Sequence, residues 1–315
     1  MPGDSALAET IVITGAFSYT GQYATRLLLG RGYAIRTLTH HPERASAFGD
    51  RVRAFPYNFE RRDELIESLR GASTLVNTYW VRFPRGTSTF ERAVENTRVL
   101  IGAAKAAGVR RIVHVSIANP SLESPLGYYR GKAQLERAVV ESGLSHAILR
   151  PTVIFGREDI LINNIAWFLR HFPVFGIPGD GRYPIRPIYV EDMARLIADS
   201  VEGRQNGVVD AVGPETFCFE ELVRLIASEV GRSVRIVHLP APLAYALTRL
   251  TGWFVGDIVL TWQEYQGLMG GLLGSKSPDA GAIRLSDWLR ANHESLGRRY
   301  ASEIARHYAP GSLLQ

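Results

Sequence analysis

Short runs of β-branched and apolar residues alternate with helical patterns through the first half of the chain. That alternation restricts the fold more than any other feature. Candidate strands are Thr10–Thr14, Ala34–Thr39, Val52–Tyr57, Thr74–Tyr79, Arg111–Ser116 and Ala147–Arg150. Helical patterns lie between them, near Gly21–Leu29, Arg62–Leu69, Thr87–Ala107 and Tyr128–Glu141. Largely apolar strands are buried on both faces, so the expected class is α/β, a doubly wound parallel sheet covered by helices on each side. Ligands on such sheets bind at the carboxyl ends of the strands.

The rhythm changes at Pro151. Gly- and Pro-rich connections follow, then helices near Val190–Glu202 and Phe219–Glu229, a strand near Val234–His238 and a last helix near Leu285–Gly297. This divides the 315 residues into a sheet domain over 1–155 and a smaller C-terminal lobe over 156–315. The lobe is expected over the strand ends, holding substrate, with the chain free to cross back between the two. Within the lobe, Leu243–Leu273 is apolar, but Arg249, Asp257, Gln263 and Glu264 interrupt it. A bilayer span needs about 20 apolar residues, so peripheral association is the membrane mode left open. The single cysteine, Cys218, and the lack of a basic and apolar leader before the first strand fit a cytoplasmic protein. Net charge is +5, but the arginines are scattered and no nucleic-acid motif accompanies them. A mildly basic chain suits an anionic small cofactor instead.

The first strand runs straight into Gly15-Ala16-Phe17-Ser18-Tyr19-Thr20-Gly21 and then a helical pattern. That context points to a dinucleotide phosphate loop. Gly15 permits a tight turn and Gly21 lets the helix pack on the sheet, while Phe17, Ser18, Tyr19 and Thr20 bring backbone towards a pyrophosphate at the helix N-terminus. Ser18 stands where a middle glycine is common. The second strand ends at Thr39-His40-His41-Pro42-Glu43-Arg44, with no acid to read a ribose hydroxyl. His40 and Arg44 lean the expected cofactor towards NADP(H) over NAD(H).

Of 36 Lys and Arg residues only three are lysine, and one of them, Lys132, follows Tyr128 by four positions. A lysine retained against such a bias suggests a role that arginine fills badly, because arginine does not release its proton near neutral pH. Residues i and i+4 share a helix face, and an ammonium beside a phenol lowers the phenol's pKa from about 10. A tyrosine in that setting can pass a proton near pH 7. Tyr129, at i+3, competes for the assignment.

Together, Thr14-Gly15-Ala16 with Gly21, His114-Val115-Ser116, Tyr128-x-x-x-Lys132, Arg150-Pro151-Thr152-Val153-Ile154-Phe155-Gly156 and Ile188-Tyr189-Val190-Glu191-Asp192 resemble the short-chain dehydrogenase/reductase superfamily. The resemblance is to its extended and atypical, NAD(P)-dependent epimerase/dehydratase-like members. The run Phe155-Gly156-Arg157-Glu158-Asp159 is also similar to the nucleotide-binding accessory subunit of respiratory complex I and its bacterial relatives. The resemblance implies a Rossmann-like first domain and an NAD(P)-dependent oxidoreductase or epimerase acting on a small carbonyl or alcohol, with an oligomer possible. It picks Tyr128 as general acid/base, Lys132 as its partner that also bonds the nicotinamide ribose, and Ser116 as a hydrogen bond to substrate. It places Asn58, Asn77, Thr78, Pro151, Thr152 and Val153 along the cofactor. Tyr79 and Trp80 are either walls of the nicotinamide and substrate pocket or packing, and Asn163 and Asn164 are candidate substrate contacts. The helical Asn of many members falls on Ala93, with Asn96 one turn later. That departure, and the complex I likeness, motivate an alternative: a non-catalytic NADP(H)-binding sensor or scaffold subunit. No metal-ligand spacing is present.

Overall fold

The computed structural model describes residues 8–43 and 46–308. Its first part runs β1 (Thr10–Thr14), α1 (Tyr19–Gly30), β2 (Ala34–Thr39), β3 (Val52–Pro56), α2 (Arg62–Leu69), β4 (Ala72–Asn77), α3 (Phe90–Ala106), β5 (Arg111–Val115), α4 (Gly127–Glu141) and β6 (Ser145–Pro151). Then come β7 (Ile154–Phe155), α5 (Leu161–His171), β8 (Val174–Pro178), β9 (Pro184–Ile185), β10 (Ile188–Tyr189), α6 (Val190–Glu202) and β11 (Gly207–Ala211). The chain continues through β12 (Phe217–Cys218), α7 (Phe219–Glu229), β13 (Arg235–Leu239), α8 (Ala241–Val255), α9 (Trp262–Met269), α10 (Leu285–Asn292) and α11 (Glu303–Tyr308).

Seven strands form one sheet in the order β11-β6-β5-β4-β1-β2-β3, with parallel registers from β6 to β3. The Rossmann-like, doubly wound sheet read from the sequence is thus present. The order reverses between β1 and β4, which opens a crevice at their carboxyl ends, where Thr14 and Asn77 sit. Ile11, Val12 and Ile13 on the central β1 are fully buried. One face of the sheet is packed by Leu65 and Leu69 of α2, Leu100 and Ala104 of α3, and Val139 of α4. β4 ends two residues earlier than the alternation suggests. The reason is Thr14, whose Oγ1 accepts the N–H groups of Thr78 (2.7 Å) and Tyr79 (3.0 Å) and draws that segment off the ladder. α3 likewise starts at Phe90 rather than Thr87, where the Thr89 side chain caps it.

The described chain divides into two compact units. The first comprises the residues up to Arg150 with Met193–Val209; the second comprises Pro151–Asp192 and the residues from Asp210 onward. Arginines explain why the 193–209 segment belongs to the first. Arg31 pairs with Asp199 (2.8 Å) and Glu202 (3.0 Å), and Arg111 donates to the carbonyls of Ser200 (2.7 Å) and Gln205 (3.1 Å). The second unit has its own core, including Phe155, Ile162, Leu169, Ile177, Leu222 and Leu289. Arg186 is buried there as a hub, reaching the Gly213 carbonyl (2.9 Å), the Ser275 carbonyl (3.2 Å) and Asp279. No described helix is long and apolar enough to cross a membrane.

Candidate functional site

The loop between β1 and α1 is built around two glycines. Gly15 has φ +67°, and its N–H reaches the Leu38 carbonyl at 2.9 Å. A Cβ on Gly21 would lie 2.0 Å from the Gly15 carbonyl oxygen, so the helix can approach the turn only with glycine there. Ser18 caps α1, its Oγ accepting the Gly21 N–H at 3.3 Å, while Ala16 N–H donates to Thr37 Oγ1 at 3.0 Å. The first turn of α1, with Tyr19 and Thr20, carries no acid. The Phe17 ring leaves the loop to stack on Phe48 at 6.4 Å. A positive helix end behind a cradle that a Cβ would fill fits a pyrophosphate. Gly21→Ala is expected to lower stability by about 1–3 kcal/mol and to abolish dinucleotide binding. Gly30→Ala, at a helix position with open space, is the control, expected to gain about 0.5–1 kcal/mol. Urea midpoints and an NADPH titration on both variants check this.

At the ends of β2 and β3 lies an open depression of about 380 Å³, lined by Thr39, His40, Tyr57, Asn58, Arg61 and Arg92 among others. The His40 ring packs 4.6 Å from Tyr57 but stays solvent-exposed; desolvation by its neighbours and the charge of His41 lower its pKa, which makes it a weak cation in the absence of a phosphate. Arg44, the other residue that leans the reading to NADP(H), lies outside the described residues. Asn58, at φ +46°, uses both ends of its amide locally: its NH2 donates to Glu64 (2.9 Å) and its oxygen accepts from Arg61 (2.7 Å).

The two aromatics after β4 point to different surroundings. Tyr79 joins His40, Tyr57 and Phe59, and Asn96 donates its amide N–H to the Tyr79 hydroxyl at 2.9 Å. Trp80 stacks on Phe90 (5.8 Å, 5°), meets Tyr128 edge-on (5.6 Å, 81°) and places its ring 4.8 Å from Lys132 Nζ. A Cβ on Gly131 would come 2.7 Å from the Trp80 ring, so a glycine inside α4 makes room for it.

Lys132 is almost completely buried, and its Nζ donates to the Val115 carbonyl at 2.9 Å. Burial lowers its pKa from 10.5 to about 7, opposed by the charge of Glu136. Arg150 holds that carboxylate with Nε (2.9 Å) and Nη2 (2.5 Å), so Glu136 is already paired. Tyr128 is half-buried one turn before Lys132 on α4.

Below them, at the end of β5, a network fixes a histidine. Asn77 Oδ1 accepts from Thr14 Oγ1 (3.2 Å) and Tyr79 N–H (3.1 Å). Its NH2 therefore faces His114 Nδ1 at 3.0 Å, leaving the ring proton on Nε2. Burial and the Lys132 charge hold His114 well below its usual pKa, so the ring is neutral. His114 Nε2 and Ser116 Oγ are both buried without a protein hydrogen-bond partner. Two such polar atoms beside a buried ammonium fit a polar ligand group. His114 precedes Ser116 by two residues, a spacing that puts both on one side of an extended chain.

In the second unit, Thr152, which follows Pro151, donates its hydroxyl to the Arg186 carbonyl, and the buried Val153 accepts from Ile188 N–H at 2.8 Å. Asn163 spans the Arg299 carbonyl (2.9 Å) and Gly297 N–H (3.0 Å), and Asn164 spans both backbone groups of Ala301. Both amides are taken up in fixing residues 297–301. Among the described residues no group of three metal-ligating side chains exists.

Comparison with known proteins agrees with this geometry. Residues 15–160 match a family model described as NAD(P)H-binding. The mitochondrial NADH dehydrogenase [ubiquinone] 1 alpha subcomplex subunit 9 of Arabidopsis thaliana is 26% identical over 269 residues, covering 81% of this chain and 67% of its own. The rat counterpart is 31% identical over 163 residues, half of this chain and 41% of its own. Quinone oxidoreductase 2 of Escherichia coli is 28% identical over 236 residues, 73% of this chain and 77% of its own. The fold is that of Citrobacter sp. triphenylmethane reductase complexed with NADP(H), with TM-score 0.73 at 18% identity over 90% of this chain and 99% of that one. The first unit thus carries a Rossmann-like NAD(P)H-binding domain.

Proposed function

We propose that the protein is an NAD(P)(H)-dependent oxidoreductase acting at a carbonyl or alcohol carbon, with Tyr128 as general acid/base. The observation that carries this is the end of β5, where Ser116 Oγ and His114 Nε2 stand unpaired and buried beside the Lys132 ammonium. A dinucleotide held at the Gly15–Gly21 cradle would supply or accept the hydride. Ser116 Oγ and the His114 Nε2–H are the donors available to orient a substrate oxygen, and Tyr128 gives or takes its proton. Lys132, with a pKa near 7, holds positive charge beside that proton without locking it in place. Trp80 and Phe90 cover the group from one side and limit water.

The substrate class favoured is an aromatic or quinone-like carbonyl, in keeping with the aromatic wall and the relative named a quinone oxidoreductase. NADP(H) is preferred because β2 ends without an acid and Arg61 and Arg92 line the depression there, paired with Glu64 and Glu60, for which a 2′-phosphate would compete. NADPH is expected to quench protein fluorescence on titration and to be oxidised in the presence of a quinone panel. Absence of any nicotinamide binding sinks the reading; equal affinity for NADH removes only the NADP preference.

A second reading is a non-catalytic dinucleotide-binding subunit. It is favoured by the Trp80 ring covering the lysine, by Asn96 being committed to Tyr79, and by the complex I relatives. Nicotinamide binding with no turnover on any carbonyl supports it. A location in an assembly like those of the mitochondrial relatives belongs to that reading.

A further inference from the structure

The second unit carries a helix turned inside out. In α8 the side chains that face inward are small: Ala244 and Gly252 are buried, and Thr248 between them bonds the Tyr265 hydroxyl of α9. A Cβ on Gly252 would lie 2.6 Å from the Asp257 carbonyl, so this face is pressed close to its neighbours. The large apolar side chains face out. Leu243, Leu247 and Leu250 are 49%, 46% and 51% exposed, and Trp253 and Phe254 are 76% and 73% exposed. Positions 243, 247, 250 and 254 recur at steps of four and three, so they form one stripe, with Trp253 beside its end. An ordinary amphipathic helix buries such a stripe, and a contiguous exposed one marks an interaction surface.

The surrounding chemistry identifies what covers it. α8 has no Asp or Glu, and its one charged residue, Arg249, is exposed. The helix packs on β8, which follows the exposed Phe172 and begins with the exposed Val174. Val174 is in register with Arg235 of β13. Phe172 lies 6.1 Å from Trp167, whose ring also meets Tyr300 at 5.3 Å. The Tyr300 hydroxyl donates to Asp257, just past the end of α8, at 2.9 Å. Arg170, on the same helix as Trp167, has its pKa lowered first by burial and then by the charges of Arg298 and Arg232, so the three arginines form one cationic cluster. Exposed leucines with Trp and Phe at one end, on a helix that carries Arg249 and no acid, in a unit with an arginine cluster, match a helix lying in an anionic bilayer interface.

We propose that the second unit docks on an anionic lipid surface through α8. The helix lies in the interface plane with the Leu243–Phe254 stripe and Trp253 immersed, and Arg249, Arg232 and Arg298 meet lipid phosphates. At 15 residues the helix is about 22 Å long, too short to span and long enough to lie flat.

The test is co-sedimentation of the full chain with vesicles of phosphatidylcholine and phosphatidylglycerol in equal parts, against phosphatidylcholine alone. Binding to the anionic vesicles is expected, weakened by salt. Trp253→Glu with Phe254→Glu should reduce it to background. Arg232→Glu and Arg298→Glu should each weaken it roughly fivefold or more. All four positions are exposed, so unchanged circular dichroism and NADPH titration verify that each variant is folded. Absence of binding, or equal binding to neutral vesicles, overturns the proposal. A dimer in sedimentation velocity that the Trp253/Phe254 double variant dissolves also overturns it, assigning the stripe to a second copy of the chain.

Discussion

Tyr128→Phe is expected to cut turnover of a carbonyl substrate by about 10²–10⁴-fold while leaving dinucleotide affinity within about twofold. The substitution removes one hydroxyl and keeps the ring, which packs edge-on against Trp80 and Phe90 and lies 5.7 Å from Tyr129. Those contacts hold the end of α4 in place, so the loss falls on proton transfer, a barrier change of about 3–5 kcal/mol. The phosphate cradle at Gly15 and Gly21 is built from other elements and should not register the change. Ser116→Ala should act in the same direction but less strongly, because His114 Nε2–H remains as a donor at the end of β5. Measuring kcat and Kd for both variants separates the two functional readings. Unchanged turnover in Tyr128→Phe removes the acid/base role, while lost affinity with normal kcat places the tyrosine in binding.

Much of the frame was legible because it rests on local rules. Strand–helix alternation gave the parallel sheet, and the Gly15–Gly21 spacing marked a turn that only glycine can make. Site residues carried by side-chain partners were harder to read, since a residue type advertises chemistry but not who satisfies it. His40 reads as a cation at the end of β2, yet its ring packs on Tyr57 and desolvation there lowers its pKa. Asn58 offers an amide to a ligand, but Glu64 and Arg61 take both ends. Asn163 and Asn164 find their partners at residues 297–301, more than 130 positions away. Tyr79 and Trp80 are adjacent in sequence and enter separate clusters because Thr14 lifts their segment from the ladder. The inverted face of α8 was hidden for a related reason: an apolar run read without its neighbours does not reveal which side is already occupied.

The buried charge at Lys132 makes a further prediction in which stability and function oppose each other. Folded, Lys132 releases its proton near pH 7; unfolded, it holds it up to about pH 10.4. Between these values the unfolded chain binds more protons, so stability rises with pH, by roughly 3–4 kcal/mol from about pH 7 to 10. Other shifts fall below that window or at its upper edge, where tyrosines raised from 10 begin to oppose the rise in the same way in parent and variant. His40 and His114 titrate below it, burial brings Asp159 only up to about 6, and burial pushes Tyr57 and Tyr183 further above it. Lys132→Met keeps the shape of the side chain and removes the charge. At pH 7 it gains about 4 kcal/mol by deleting the buried ammonium, and loses about 1 kcal/mol for the half-buried Val115 carbonyl and about 1–2 for the Trp80 contact. The variant should therefore be more stable than the parent near pH 7, by about 1–2 kcal/mol, and less stable near pH 10, where the lysine is neutral and still hydrogen-bonded. Urea unfolding across that range should show the two curves crossing, with turnover lost throughout. Parallel curves would mean that Lys132 keeps its proton in the folded protein, and that its charge is a permanent part of the site.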